Sequence, residues 1–514
     1  MKLLKIEATP QSIILYADAD GEVWLRESVP VANGRTLSMQ KLTFCGGKAA
    51  IDRFAHNGDS LFSEFTAFEG SNECEGVKFV TELTGVAENT APYPRPDIIK
   101  TIAAPKGMAA RLRLRQSLLN INLPCIMTTQ PAADDIPFEH NGRTYYFRRA
   151  EIDKVDAAMQ AVPMTTMILL NSPRLFGSHK EKPLLDACLH PGYDWNCDCA
   201  YISAFDMETE EGQGYFGAFV EFLAARYTRT DKKYGLAVGA IISNEVDSQY
   251  VWGNAGEMTP QKYMGEYTQA LRTAWLCGQK HAEFFRVYIS LDQYWYGTCH
   301  NPTQPLRYYS GRTLLEELEA NCKRDGDFPW AVAYHPYPED LRWPDFWHDR
   351  APDFTFTTPK ITFKNMEVLE AFLSQPAFLY RGQPRRIIFS EQGFNSHSGA
   401  LQGLTEQMAA AGYVLAYLKV RNMKTVDLFT HHACVDNPHE FGLNLGMFRY
   451  DPAAPEHIGE PKPIFSSFLA MDTENEPEVI ASARAFIGAE LFDYLLDPPI
   501  EYGDRDSSKD NEFG

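Results

Sequence analysis

The chain has 514 residues, a net charge of −20 and 44% apolar residues. That length suits one large domain with a smaller module, and the apolar content excludes a disordered chain. The negative charge repels phosphate, which argues against nucleic acid and anionic membrane as partners, and no stretch has the length of a transmembrane helix.

Residues 1–95 alternate short apolar runs with turns: SIILYA, EVWLRESV, LFSEFTAF and VKFVTEL, separated by pairs such as Asp20-Gly21 and Asn57-Gly58. This pattern predicts a β-sandwich-like accessory module. Pro92, Pro94 and Pro96 then mark an extended linker. The first residues, MKLLKIEATP, contain no apolar core long enough for a secretory signal, which predicts a cytoplasmic protein unless the sequence begins after a removed leader. Ten scattered cysteines show no disulfide framework and fit a reducing compartment.

From residue 96 the pattern changes to strands alternating with amphipathic helices, the signature of βα units. Strands are predicted at 117–123, 166–170, 200–205, 238–242, 286–291, 330–334, 387–389 and 426–430, with helices between them. Eight such units predict a (β/α)₈ TIM barrel over 96–500, followed by a polar tail over 501–514.

Two of these strands end in carboxylates. Val238 to Ile242 runs into Ser243-Asn244-Glu245, and Ile387 to Phe389 runs into Ser390-Glu391. A buried strand that stops at an amide or a carboxylate places costly polar groups at a barrel mouth, where catalytic groups sit. Enough chain for about three βα units separates the two glutamates, so they can face each other across that mouth. Paired carboxylates at such a mouth are what glycosidic hydrolysis requires: one protonates the leaving oxygen, the other attacks or activates water.

Asn-Glu after strand four and Glu after strand seven resemble the clan GH-A retaining glycoside hydrolases. The phrases EGQGYFGAFVEFLAARY, ISNEVD, RVYISLDQYW, AYHPYP and IIFSEQGF are similar to those of a bacterial family catalogued as a domain of unknown function. The resemblance implies Glu245 as acid/base, Glu391 as nucleophile and Asn244 as a ligand of the sugar 2-hydroxyl. It also places His335 or Tyr337, from strand six, beside Glu391.

Other polar strand ends offer hydroxyl readers: Asn122, Arg174, Asp292 and His431. Aromatic residues in the loops, Trp252 and Trp295 among them, suit the apolar faces of sugar rings. The expectation is a retaining β-glycosidase with a carbohydrate substrate and no cofactor. The alternative is a saccharide-binding barrel without chemistry. His190, Cys188, Cys197 and Cys199 crowd one loop, but their spacing matches no zinc pattern, so no metal is expected. Asp292, His335, His431 and His432 likewise lack the spacing of a metallohydrolase motif.

Overall fold

The computed structural model describes residues 1–31, 34–103, 105 and 107–504; residues 505–514 of the predicted polar tail lie outside the described residues. Two N-terminal sheets come first. One is built on Lys2–Ala8, Ser12–Ala17 and Lys48–Asp52, the other on Gly21–Ser28, Thr36–Phe44 and Glu64–Glu69. Alternate residues of these strands are buried, as for sheets with one face on a core. The predicted run VKFVTEL keeps only the two-residue strand Glu82–Leu83.

Eight parallel strands form the barrel: Lys100–Ile102, Ser117–Asn122, Thr165–Leu170, Ala237–Ile242, Arg286–Leu291, Trp330–Tyr334, Ile387–Phe389 and Val426–His431. The ladder runs from the second strand round to the eighth and on to the first. Among the described residues no ladder joins first to second. Side chains bridge that seam: Gln116 Nε2 donates to the carbonyls of Ile99 and Asp427, and Ser117 Oγ to that of Ile102. All six residues of the fourth strand are buried, because the interior covers one face and helices cover the other. Leu118, Ile241, Tyr288, Ala331, Ala333, Ile388 and Leu428 pack together as one interior cluster.

The strand count hides two offsetting errors of sequence reading. Lys100–Ile102 is a three-residue strand directly after the proline-rich segment, too short to register as a pattern. The predicted strand at 200–205 is instead an irregular loop. Its polar backbone is met locally, with Tyr201 N–H donating to the Val251 carbonyl and Ala204 N–H to that of Asn254. The strands at 237–242 and 387–389 therefore keep their ordinals, four and seven.

A hairpin of Ile136–His140 and Arg143–Phe147, joined by Met127–Thr128, forms a further three-stranded sheet between the second strand and its helix. It meets the N-terminal sheets and the barrel helices at a buried charge network. Arg53 pairs with Asp59 through two contacts of 2.6 Å. Lys280 reaches Asp59 at 3.2 Å and Glu221 at 2.8 Å, and His140 Nδ1 lies 2.6 Å from Glu221. Charges taken from water need such partners. The network fixes the N-terminal sheets against the barrel wall.

The helices begin where short polar side chains cap them. Thr209 accepts from Gly212 N–H before Glu210–Tyr227, Thr259 from Lys262 N–H before Pro260–Gln279, and Ser310 from Thr313 N–H before Gly311–Asp325. No described helix is long and apolar enough to cross a membrane.

Candidate active site

The fourth strand ends in a strained turn. Ser243 and Glu245 both take left-handed backbone conformations, with φ of 64° and 36°. Non-glycine residues hold such angles only where surroundings over-determine them. Here Ser243 N–H donates to the Leu169 carbonyl, Ser243 Oγ to the Trp252 carbonyl at 2.8 Å, and Glu245 N–H to Ser290 Oγ at 3.0 Å. The turn lifts the Glu245 carboxyl into the barrel mouth, with Asn244 half-buried beside it.

Strands six and seven complete the centre. His335 Nδ1 lies 2.8 Å from Glu245 Oε1, and its Nε2 lies 3.0 Å from Ser390 Oγ. Tyr337 OH donates to Glu391 Oε1 at 3.0 Å. Glu245, His335 and Glu391 each bring a polar atom within 4.8 Å of the others'. The resemblance implied either His335 or Tyr337 beside Glu391; the structure gives Tyr337 to Glu391 and His335 to Glu245.

Charge is distributed unevenly across these groups. Burial, followed by the charges of Asp292 and Glu391, pushes the Glu245 carboxyl well above the usual carboxylate range. Burial lowers His335 despite the surrounding acids, leaving a neutral imidazole. Ser390 Oγ can donate or accept, so the Glu245–His335–Ser390 chain can be satisfied whether Glu245 is protonated or ionised. Burial raises Tyr337 far above an ordinary phenol, which keeps its hydroxyl a donor to Glu391. Burial also raises Asp247 and Asp292; Asp292 N–H donates to Asp247 Oδ1 at 3.0 Å, while Asp247 Oδ2 has no hydrogen-bond partner among the described residues.

The profile of a family of unknown function, DUF5722, matches residues 93–494. The chain belongs to this family. No curated protein matches it. Among solved structures it is similar to a family 39 glycoside hydrolase from the gut symbiont Bacteroides cellulosilyticus WH2. That match has 13% identity and a TM-score of 0.44, and covers 91% of this chain and 82% of the other. A β-glucosidase from Pyrococcus furiosus matches with 14% identity and a TM-score of 0.44, over 74% of this chain and 86% of the other. A β-glycosidase from Thermosphaera aggregans matches with 13% identity and a TM-score of 0.44, over 73% of this chain and 85% of the other.

Several residues singled out from the DUF5722 sequence are engaged in contacts of their own. Trp295 is 0% exposed; its indole N–H donates to the Phe356 carbonyl and its ring packs on Phe372, so it anchors a loop. His431 faces the helix layer, between Phe394 and Tyr413, with Nε2–H donating to the Leu445 carbonyl; burial lowers it to about 3. Asn122 spends both ends of its amide on the loop after the third strand, with Ser172 and Leu175. Arg174 donates to the carbonyls of Cys197 and Trp195 and lines a separate pocket with Trp195. Trp252 is half-buried with its ring 5.2 Å from Tyr201. Asp292 remains close enough to Glu245 and Glu391 to act on their charge, but one of its oxygens already accepts from Gln293 N–H.

Sequence reasoning passed over His432 as a site residue, choosing its neighbour. The packing of the strand decides between the two: Leu428 belongs to the interior cluster and Phe429 packs against helix residues Tyr413 and Tyr417. Even positions therefore face inward, His432 with them. Its N–H donates to the Gln392 carbonyl, next to Glu391, and its Nε2 lies 3.4 Å from Glu440. Burial opposes its charge, but Glu391 and Glu440 outweigh burial and raise it. The acids of the mouth thus favour the protonated form of His432.

A second cluster, His190, Glu208 and Glu266, also brings three donor atoms within 4.8 Å. His190 Nδ1 accepts from Gly192 N–H, so Nε2 carries the proton and donates to Glu266 at 2.8 Å. Lys262 supplies the cation, 2.8 Å from Glu208 and 3.7 Å from Glu266. These residues form an ion-pair network with no free imidazole lone pair for a metal.

Proposed function

We propose that this protein is a clan GH-A type retaining glycoside hydrolase that cleaves β-linked glycosides or oligosaccharides. The observation that carries this reading is the placement of Glu245 and Glu391. They stand at the ends of the fourth and seventh strands with carboxylate oxygens within 4.8 Å. Retaining enzymes hold their two carboxyls about 5–5.5 Å apart, whereas inverting enzymes need roughly 6.5–9.5 Å to admit a water.

In the reaction Glu391 attacks the anomeric carbon while Glu245 gives its proton to the departing oxygen. Glu245, now ionised, then takes a proton from the water that releases the sugar from Glu391. Burial prepares Glu245 for the first role by holding its proton near neutrality. Tyr337 supports the ionised partner by donating to Glu391, and Asn244 is placed to meet the sugar 2-hydroxyl. The chemistry needs no cofactor. Residues 1–95 act as an accessory module and 96–500 as the catalytic barrel.

The test is chemical rescue. Glu391→Ala should abolish turnover of an aryl β-glycoside and regain part of it with azide, which replaces the missing nucleophile. An unaffected variant ends the assignment. Binding of oligosaccharides by a wild-type protein that turns over no glycoside in a broad panel would favour a saccharide-binding barrel instead.

A further inference from the structure

We propose that the cleft beside the catalytic pair contains a distal sugar-binding position, in which Trp343 and Phe441 stack on rings of a neutral oligosaccharide. The proposal rests on the glycosidase reading and names its substrate class: a chain of several sugars. The cleft is formed by the loops that follow strands five, six and eight, and has a volume of about 1100 Å³. That exceeds the roughly 300–1,000 Å³ typical of a pocket for one small ligand.

Two aromatic side chains stand exposed in its wall, beside Leu341. Trp343 is 39% exposed and Phe441 75% exposed. Neither is an accident of a loose loop. Trp343 N–H donates to the Asp340 carbonyl, and its ring lies 4.5 Å from that of His397, on the segment following Glu391. Phe441 has a φ of 50°, a left-handed conformation costly for a bulky side chain, and Gly442 follows with 84°. The strained turn is pinned beside the catalytic centre. Glu440 pairs with His432 and accepts from Asn437 Nδ2 at 2.8 Å, and Leu443 N–H donates to the Glu440 carbonyl. The chain thus anchors Glu440 on His432 and turns the following ring outward into the cleft. Flat rings with apolar faces and polar edges match such a wall: aromatic carbons meet the C–H face of a sugar while its hydroxyls reach water.

The charges of the cleft select against an anionic sugar. Its wall holds the carboxylates of Glu339, Asp340 and Asp345, with Asp349 pushed up to about 7 by burial, against three fixed cations, Arg342, Arg350 and Lys360. Two of the three cations have partners. Arg342 holds Asp340 through two contacts of 2.9 and 2.7 Å, and Lys360 Nζ donates to the Glu339 carbonyl. No surplus of positive charge awaits a uronate or a sulfate.

The experiment measures binding apart from hydrolysis. Cellotetraose, xylotetraose, mannotetraose and β-1,4-galactotetraose, with tetragalacturonate as the charged control, are titrated calorimetrically into Glu245→Gln. At least one neutral tetrasaccharide should bind at least about tenfold more tightly than its disaccharide, and tetragalacturonate should not. Adding Trp343→Ala or Phe441→Ala should weaken that binding by about three- to tenfold each, and Phe441→Tyr should restore it. In the wild-type background the same alanine changes should leave kcat/KM on an aryl monoglycoside unchanged. Equal affinity for di- and tetrasaccharides, indifference to both alanine changes, or no binding by any neutral tetrasaccharide overturns the distal position, even if aryl glycosides are still hydrolysed. Binding that depends on both rings in a protein that hydrolyses no glycoside leaves the distal position standing and removes the glycosidase reading instead.

Discussion

Replacing Glu245 by Gln should separate the proton-donating role from everything else this side chain does. Gln keeps the volume and one carbonyl oxygen facing His335, now 2.8 Å away, so the strained turn should persist. It cannot deliver a proton. General acid catalysis contributes about 10²–10⁴-fold, or about 2.7–5.5 kcal/mol of barrier, so kcat/KM on an unactivated alkyl or sugar aglycone should fall by that factor. A 2,4-dinitrophenyl glycoside, whose leaving group needs no proton, should lose less than about tenfold in its glycosylation step. The pH profile supplies the sign. Burial, then Asp292 and Glu391, raise Glu245, and the protonated form is the active one. Activity should therefore fall as pH rises through its titration, giving the alkaline limb of the wild-type profile. The variant should lack that limb when assayed with the activated substrate. Initial rates over pH 4–9 on both substrates decide the matter. An alkaline limb that persists, or equal losses on both leaving groups, would refute Glu245 as the acid.

Two further predictions concern stability. Asp247 is buried, its Oδ2 has no hydrogen-bond partner among the described residues, and burial raises it, so it favours folding while protonated. That contribution is present below the ordinary Asp range and is lost as pH rises through its folded value. Asp247→Asn should therefore raise the melting temperature at pH 8 while changing it little at pH 4.5; a lower melting temperature at pH 8 would contradict this. Glu221 is the opposite case: burial opposes its charge, but His140, His281 and Lys280 hold it well below the carboxylate range. Its stabilisation is present above the ordinary Glu range and is lost as pH falls through its folded value. Glu221→Gln breaks this buried network and should cost about 3–5 kcal/mol at neutral pH, with the difference from wild type narrowing in acid. Denaturant unfolding at pH 7 and pH 4 measures it, and an unchanged midpoint at pH 7 would show that the junction contributes nothing.

The convergence of Glu245 and Glu391 was legible because both end apolar strands, a context in which a carboxylate has no structural reason to sit. The barrel was legible for the same reason that makes it stable: strands covered on both faces read as unbroken apolar runs between amphipathic helices. Lys100–Ile102 was not, since three residues after a proline-rich stretch carry no period. The hairpin at 136–147 was missed as well, although Asn141-Gly142 marks its turn. Site residues read from type alone fared worst. Trp295, Asn122, Arg174 and His431 are polar or aromatic side chains near strand ends, yet their hydrogen-bond partners are backbone groups, and nothing in the local sequence reveals which of these lie within reach. His431 and His432 are adjacent, and the inward place goes to His432 only through the packing of Leu428 and Phe429 after an irregularity in the strand. Asp247 and Ser390 act through contacts between different strands, which only the folded register brings together.

The most direct test of the central claim is to trap the covalent intermediate. An activated 2-deoxy-2-fluoro β-glycoside, of the sugar that gives turnover in an aryl glycoside panel, slows hydrolysis of the glycosyl-enzyme more than its formation. Intact mass spectrometry followed by peptide mapping should find one fluorosugar on each chain, attached to Glu391, with activity lost in proportion and labelling absent in Glu391→Ala. A sugar carried by any other residue, or an enzyme that turns over the parent glycoside yet never acquires the label, would contradict the account.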